Sequence, residues 1–132
     1  MAPDKTVMVV DDDRDILTVA TRALERAGFR VHGFADPILA LQHVEGGCEN
    51  CAVMVADIQM PGMSGFQLVR RVKDLRPDLK VIMMTAFEVN KSEFESVFPS
   101  TAVDKLMQKP FPLTQLTDSV EELYPHDKFG TQ

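Results

Sequence analysis

Three stretches of the chain are apolar at every position: Val7-Met8-Val9-Val10, Cys51-Ala52-Val53-Met54-Val55-Ala56 and Val81-Ile82-Met83-Met84. Runs of this length, bounded by breakers or charge, predict strands buried on both faces. Two further runs are mixed: Phe29 to Phe34, which contains His32 and Gly33, and the short Leu106-Met107-Gln108. They predict exposed edge strands. Between the strands the period changes to that of a helix. Ile16, Leu17, Ala20, Ala23, Leu24 and Ala27 give an apolar face to a helix over Arg14 to Ala27, with Gly28 as its stop. Asp36-Pro37 is a cap followed by a first-turn proline, and that second helix runs to Glu45 before Gly46-Gly47. Ser64 and Gln67 form a capping box for a third helix with Leu68, Val69, Val72 and Leu75 on its face. Asn90 and Glu93 cap a short fourth helix carrying Phe94, Val97 and Phe98, which Pro99 ends. Pro112 opens a fifth, with Leu113, Leu116, Val120 and Leu123 in 3-4-3 spacing.

Five strands alternating with five helices predict an α/β fold, a doubly wound parallel sheet covered on both faces. The apolar strands belong in the middle and the mixed ones at the edges. Right-handed crossovers then favour the order 2-1-3-4-5, with a switch point between strands 1 and 3. This is the flavodoxin-like arrangement.

Bulk properties narrow the function. The 132 residues suffice for one domain. It is read as residues 1–125, with a polar tail over residues 126–132. The formal net charge of -6 argues against direct contact with nucleic acid. No apolar run approaches the roughly 20 residues of a membrane span, and the N-terminus lacks the apolar segment of a signal peptide. The expectation is a cytoplasmic protein. Cys48-Glu49-Asn50-Cys51 is a CxxC. It precedes a strand and not a helix, and no second CxxC completes a four-ligand zinc site. It is read as two incidental thiols. Arg70, Arg71, Lys73 and Arg76 fall mostly off the apolar face of their helix and are read as solvated surface.

The chemistry lies where the strands end. Asp11 and Asp12 follow strand 1, Asp57 ends strand 3, Thr85 ends strand 4, and Lys109 follows strand 5. The topology gathers them on one edge of one sheet. Any one of them has an ordinary alternative: Asp11 to Asp13 as a helix cap, Thr85 as a strand end, Lys109 as a surface lysine. Together they fit phosphoryl transfer. Clustered carboxylates call for a hard cation, for which Mg²⁺ is suited. A lysine and a hydroxyl stabilise a phosphoryl group in transfer. Asp57, alone at the end of the central strand, is the candidate nucleophile.

Val9-Val10-Asp11-Asp12, Asp57 with Met60-Pro61-Gly62-Met63-Ser64-Gly65, Thr85-Ala86 and Lys109-Pro110-Phe111 closely resemble the receiver domain of two-component response regulators, here of stand-alone type. The resemblance implies that Asp57 accepts a phosphoryl group from the phosphohistidine of a histidine kinase or phosphotransfer protein. It implies Mg²⁺ ligation by Asp12, Asp57 and the Gln59 backbone carbonyl, with Asp11 acting directly or through water. Thr85 and Lys109 would hold phosphoryl oxygens, and the Lys109-Pro110 bond would be cis. The implied protein is an acceptor that dephosphorylates itself, not an enzyme turning over a separate substrate. It would be a monomer or weak homodimer and would signal by contact with a downstream protein.

The sequence departs from the family pattern at Leu106, where an aromatic switch residue usually stands, and at Thr101-Ala102, where Gly-Ala is usual. The output movement is therefore expected in residues 86–101 with Leu106 nearly still, and Phe87 is expected to shield the phosphoaspartate from water. The alternatives are a Mg²⁺-dependent phosphatase of haloacid dehalogenase type and a degenerate receiver that only binds partners. The first needs a longer core, a cap and a later acidic pair. The complete set of site residues argues against the second.

Overall fold

The computed structural model describes residues 5–48, 50–86 and 103–125. Its elements are β1 (Thr6–Val10), α1 (Arg14–Arg26), β2 (Arg30–Phe34), α2 (Pro37–Glu45), β3 (Cys51–Asp57), α3 (Gly65–Leu75), β4 (Lys80–Thr85), β5 (Lys105–Gln108) and α4 (Leu113–Leu123). The strands form one sheet in the order β2-β1-β3-β4-β5, and every pairing is parallel. The helix expected from Asn90, Phe87 and the expected output segment from residue 87 onward lie outside the described residues, as do Thr101-Ala102 and the tail. The C-terminal helix is α4 here.

The apolar strands are central because each supplies two faces. Met8, Val10, Met54, Ala56, Val81 and Met83 point to one side, onto Ala40, Leu41 and Val44 of α2 and Leu68, Val69 and Val72 of α3. Val7, Val9, Val53, Val55, Ile82, Met84 and Met107 point to the other, onto Ala20 and Leu24 of α1 and Leu116 and Val120 of α4. Alternation with period 2 along a strand thus divides one apolar run between two cores.

The caps follow from the sequence. The Asp13 carboxylate accepts from the amides of Asp15 and Ile16 at the start of α1, and Asp36 accepts from Ile38 N–H at the start of α2. Ser64 and Gln67 close both halves of their capping box. Pro112 stands at the N-cap of α4 without a side-chain bond.

Three expected core positions are not core. Leu75 and Leu113 are 48% and 42% exposed, and Ala27 is exposed at the C-cap of α1. Each sits at a helix end.

The basic residues of α3 also divide. Arg70 and Arg71 are exposed as expected. Arg76 is a clamp instead: its guanidinium donates to the carbonyls of Cys48 at 2.6 Å and Cys51 at 2.8 Å, and also meets Asp78. Lys73 reaches Asp104 at 3.6 Å.

The cysteines are not free thiols. Cys48 and Cys51 are joined as a disulfide; the Cys51 amide turns back toward the Cys48 carbonyl, and Arg76 donates to the carbonyls of both. Two imidazoles adjoin them. His32 lies in β2 and His43 in the last turn of α2, with ring centroids 4.7 Å apart. Burial, and then the neighbouring His32, holds the His43 imidazole below its usual pKa.

Tyr124, just past α4, ties the far end of the sheet. Its hydroxyl accepts from the buried Thr6 N–H at 3.0 Å and lies 3.4 Å from the Asn50 carbonyl. The bond sits where the β1–β3 register shifts between Thr6 and Val7. Tyr124→Phe leaves a buried donor without this partner, and its expected cost is about 1–3 kcal/mol in chemical denaturation. No change in midpoint would show that the hydroxyl contributes nothing there.

Candidate functional site

The C-terminal edge of a parallel sheet is where loops diverge, and the divergence is widest where the strand order reverses. Here that point lies between β1 and β3. The sequence places carboxylates at both positions. Asp11 directly follows β1 and is fully buried, its amide tied to the Phe34 carbonyl. Asp12 is exposed. Asp57 is the last residue of β3 and 8% exposed. The three carboxylates offer oxygens that all lie within 4.8 Å of one another.

The acidic run divides its labour. Asp13 is the helix cap. Asp11 Oδ1 accepts from the Asp13 amide at 2.9 Å, which turns its other oxygen to the pocket. Lys109 meets that oxygen. Its Nζ lies 2.8 Å from Asp11 Oδ2 and 3.3 Å from Asp57 Oδ2. The Lys109-Pro110 peptide is cis, as the resemblance implied. The Lys109 amide donates to the Thr85 carbonyl, which fastens the loop after β5 to the end of β4. Thr85 itself is buried at that end. The Gln59 amide reaches Asp57 Oδ1 at 3.4 Å. An open cleft lined by Asp12, Ile58, Gln59, Met60, Pro61 and Ser64 gives the pocket access to solvent. The structure therefore brings together the sequence-predicted site residues: Asp11, Asp12 and Asp57 within 4.8 Å of one another, Lys109 in contact with Asp11 and Asp57, Thr85 bonded through its carbonyl to the Lys109 amide, and the Gln59 amide near Asp57.

Electrostatics follow from the packing. Burial, then the charge of Asp11, holds the Asp57 carboxyl above its ordinary pKa, and Lys109 and the Gln59 amide only partly oppose this. For Lys109 burial acts to lower the pKa. The hydrogen bond and charge of Asp11, joined by Asp57, prevail and hold it above its ordinary value. Among the described residues, one cation, Lys109, thus faces the two buried carboxylates. A site of this kind favours a further positive charge.

Gly65 was quoted in the sequence motif, but its reason is visible only in space. A Cβ at Gly65 would collide with the Asp57 carbonyl oxygen and lie 2.8 Å from Met83 Cε and 2.9 Å from Ile58 Cα. Its amide donates to the Ile58 carbonyl at 2.8 Å. The first turn of α3 therefore presses on the backbone that carries Asp57. Gly62, in the intervening loop, has φ +85°, a conformation glycine adopts without cost.

A doubly wound domain with an acidic pocket and a lysine at its switch point is the architecture of a phosphoacceptor module. The family model described as response regulator receiver domain matches residues 7–121, and the chain belongs to that family. It is 32% identical over 119 residues to the response regulator receiver protein CpdR of Brucella abortus, covering 90% of this chain and 96% of that one. Among solved structures, a CheY-like response regulator receiver domain protein from Methanospirillum hungatei superposes with TM-score 0.80 at 30% identity, covering 91% and 93% of the two chains. The response regulator TrrA of Thermotoga maritima, solved in complex with Mg²⁺-BeF, superposes with TM-score 0.77 at 28% identity, covering 90% and 98%.

Proposed function

We propose that this receiver takes a phosphoryl group onto Asp57 from the phosphohistidine of a histidine kinase or phosphotransfer protein, in a Mg²⁺-dependent reaction, and signals through a downstream protein from a cytoplasmic location. The observation that carries the reading is the convergence of Asp11, Asp12 and Asp57 within 4.8 Å with Lys109 against two of them. Asp12 and Asp57, with the Gln59 carbonyl and Asp11, would hold Mg²⁺, and the donor set suits it: hard oxygens, a partly solvated position and room for waters. When bound, the ion neutralises the carboxylates and the incoming phosphoryl oxygens together.

Asp57 attacks phosphorus through a carboxylate oxygen. The P–N bond of the donor breaks as the P–O bond forms, and the imidazole leaves with the electron pair. Lys109 exchanges its contact with Asp57 for a phosphoryl oxygen, and the Thr85 hydroxyl donates to another. Asp11 stays buried and fixes Lys109 through the exchange. Hydrolysis of the resulting acyl phosphate by water returns Asp57. The domain would thus be an acceptor that resets itself.

Asp12→Ala tests the metal arm without touching the nucleophile. Its expected result is loss of Mg²⁺ affinity and of phosphorylation together, by at least about 100-fold at a fixed Mg²⁺ concentration, since it removes an anionic ligand. Mg²⁺ titration and phosphorylation with acetyl phosphate read the two effects. Normal phosphorylation of Asp12→Ala in the presence of a chelator would contradict the assignment.

A further inference from the structure

At the other end of the sheet the disulfide and the two histidines form a second cluster. We infer that the reduced chain holds one Zn²⁺ between His32, His43, Cys48 and Cys51. One ligand atom from each of the four lies within 4.8 Å of the others, and Cys51 Sγ is 3.9 Å from His43 Nε2. Zinc bonds of about 2.3 Å to sulfur and about 2.0–2.1 Å to nitrogen place tetrahedral donors roughly 3.3–3.8 Å apart. The cluster therefore closes on an ion by small side-chain movements. Two thiolates with two imidazoles are the donor set of a tetrahedral structural zinc. Their combined charge cancels that of the ion, as a half-buried site requires.

The surroundings are built for it. Arg76 holds the carbonyls of both cysteines, so the loop carrying the sulfurs is fixed from outside the ligand set. The ligands come from β2, α2, the loop before β3, and β3 itself. An ion there ties the edge strand to the sheet and to α2. The site is separate from the acidic pocket: Cys51 and Asp57 are the first and last residues of β3, roughly 20 Å apart at about 3.3 Å per residue.

The disulfide and the zinc exclude each other, because sulfurs bonded together cannot serve as thiolates. A dithiol reductant converts the bond to two cysteine thiols and becomes a disulfide itself. Zinc then binds as both thiols release their protons to solvent.

The whole chain, reduced with a dithiol, stripped with chelator and freed of both, is titrated with Zn²⁺ and separately with Co²⁺, with Mg²⁺ in large excess to occupy the acidic pocket. The expected results are one zinc per chain, release of about two protons per zinc at neutral pH, and a cobalt spectrum with thiolate charge-transfer and intense tetrahedral bands. Cys48→Ser and His32→Gln should each weaken zinc binding by more than about 100-fold, beyond the loss of an outer partner. With the acidic pocket held by Mg²⁺, protein oxidised to the disulfide should bind no zinc. The cobalt spectrum and proton count need no variant, so a substitution that unfolds the chain leaves the test intact. A reduced chain without tight zinc, an octahedral cobalt spectrum, one zinc per two chains, or zinc retained when both cysteines are serine would each overturn the inference.

Discussion

Asp57→Asn is expected to take up no phosphoryl group from acetyl phosphate or from a phosphorylated kinase domain, and to keep its fold. The amide nitrogen and oxygen of asparagine occupy the same space but offer no anionic nucleophile. Neighbouring Asp11 cannot substitute, because it is fully buried and engaged by Lys109 at 2.8 Å and by the Asp13 amide. The loss should be complete within detection, since a nucleophile has no partial replacement here.

The same variant carries a stability prediction whose sign follows from the pKa. Burial and Asp11 raise the Asp57 pKa in the folded state. The folded protein therefore binds this proton more tightly than the unfolded chain does, and the group's favourable contribution is fully present below the unfolded pKa. It is lost as pH rises through the folded pKa. In metal-free buffer at neutral pH, Asp57→Asn should thus be more stable than the wild type, and the gap should shrink on acidification toward the carboxylate range. Denaturation midpoints against pH measure this. A variant less stable than the wild type at neutral pH, or a gap that widens in acid, would contradict the raised pKa of folded Asp57.

Gly65→Ala should have the largest structural effect of any single methyl group near the site. The added carbon meets backbone at Asp57 and Ile58 and not the yielding end of a side chain. Helix α3 must move off β3, or the loop must open. An overpacking cost of about 3 kcal/mol is expected, equivalent to a fall in Tm of roughly 10 °C for a domain of this size. Because the clash is with the residue that carries the nucleophile, phosphorylation should slow in molecules that remain folded. Thermal unfolding and the initial rate of phosphorylation report the two effects. A fall in Tm of only a degree or two would show that the β3–α3 junction has slack that the contacts do not suggest.

Much of the acidic pocket was legible in the sequence because topology alone assembles it. Three apolar runs had to be central strands, and residues following parallel strands must share an edge. Asp11, Asp57, Thr85 and Lys109 therefore met without any knowledge of side-chain geometry. The resemblance already set Asp11 and Asp12 apart from Asp13; what the sequence does not display is that Asp13 caps α1 through the Asp15 and Ile16 amides while its own amide orients Asp11. Helix faces were legible in their middles, as at Leu24 or Val72, and misleading at their ends, as at Leu75 and Leu113, because period alone does not mark where a helix ends.

The long-range polar contacts were not legible at all. Arg76 read as one more surface cation, yet it spans to the carbonyls of residues 48 and 51. The lone tyrosine gave no signal, yet Tyr124 holds the start of β1. The CxxC was discounted for want of a second cysteine pair. Its neighbours are histidines from β2 and α2, whose spacing along the chain matches no local zinc pattern. Folding brings them together, so only the folded chain displays the cluster.

The central claim is that Asp57 is a Mg²⁺-dependent phosphoacceptor. Intact-mass analysis of the wild-type chain after acetyl phosphate treatment, with Mg²⁺ and with chelator in its place, tests it most directly. The account predicts a gain of one phosphoryl group with Mg²⁺, located to the peptide carrying Asp57, and none with chelator. No gain in either condition, equal gain in both, or a phosphoryl group on any other residue would contradict it.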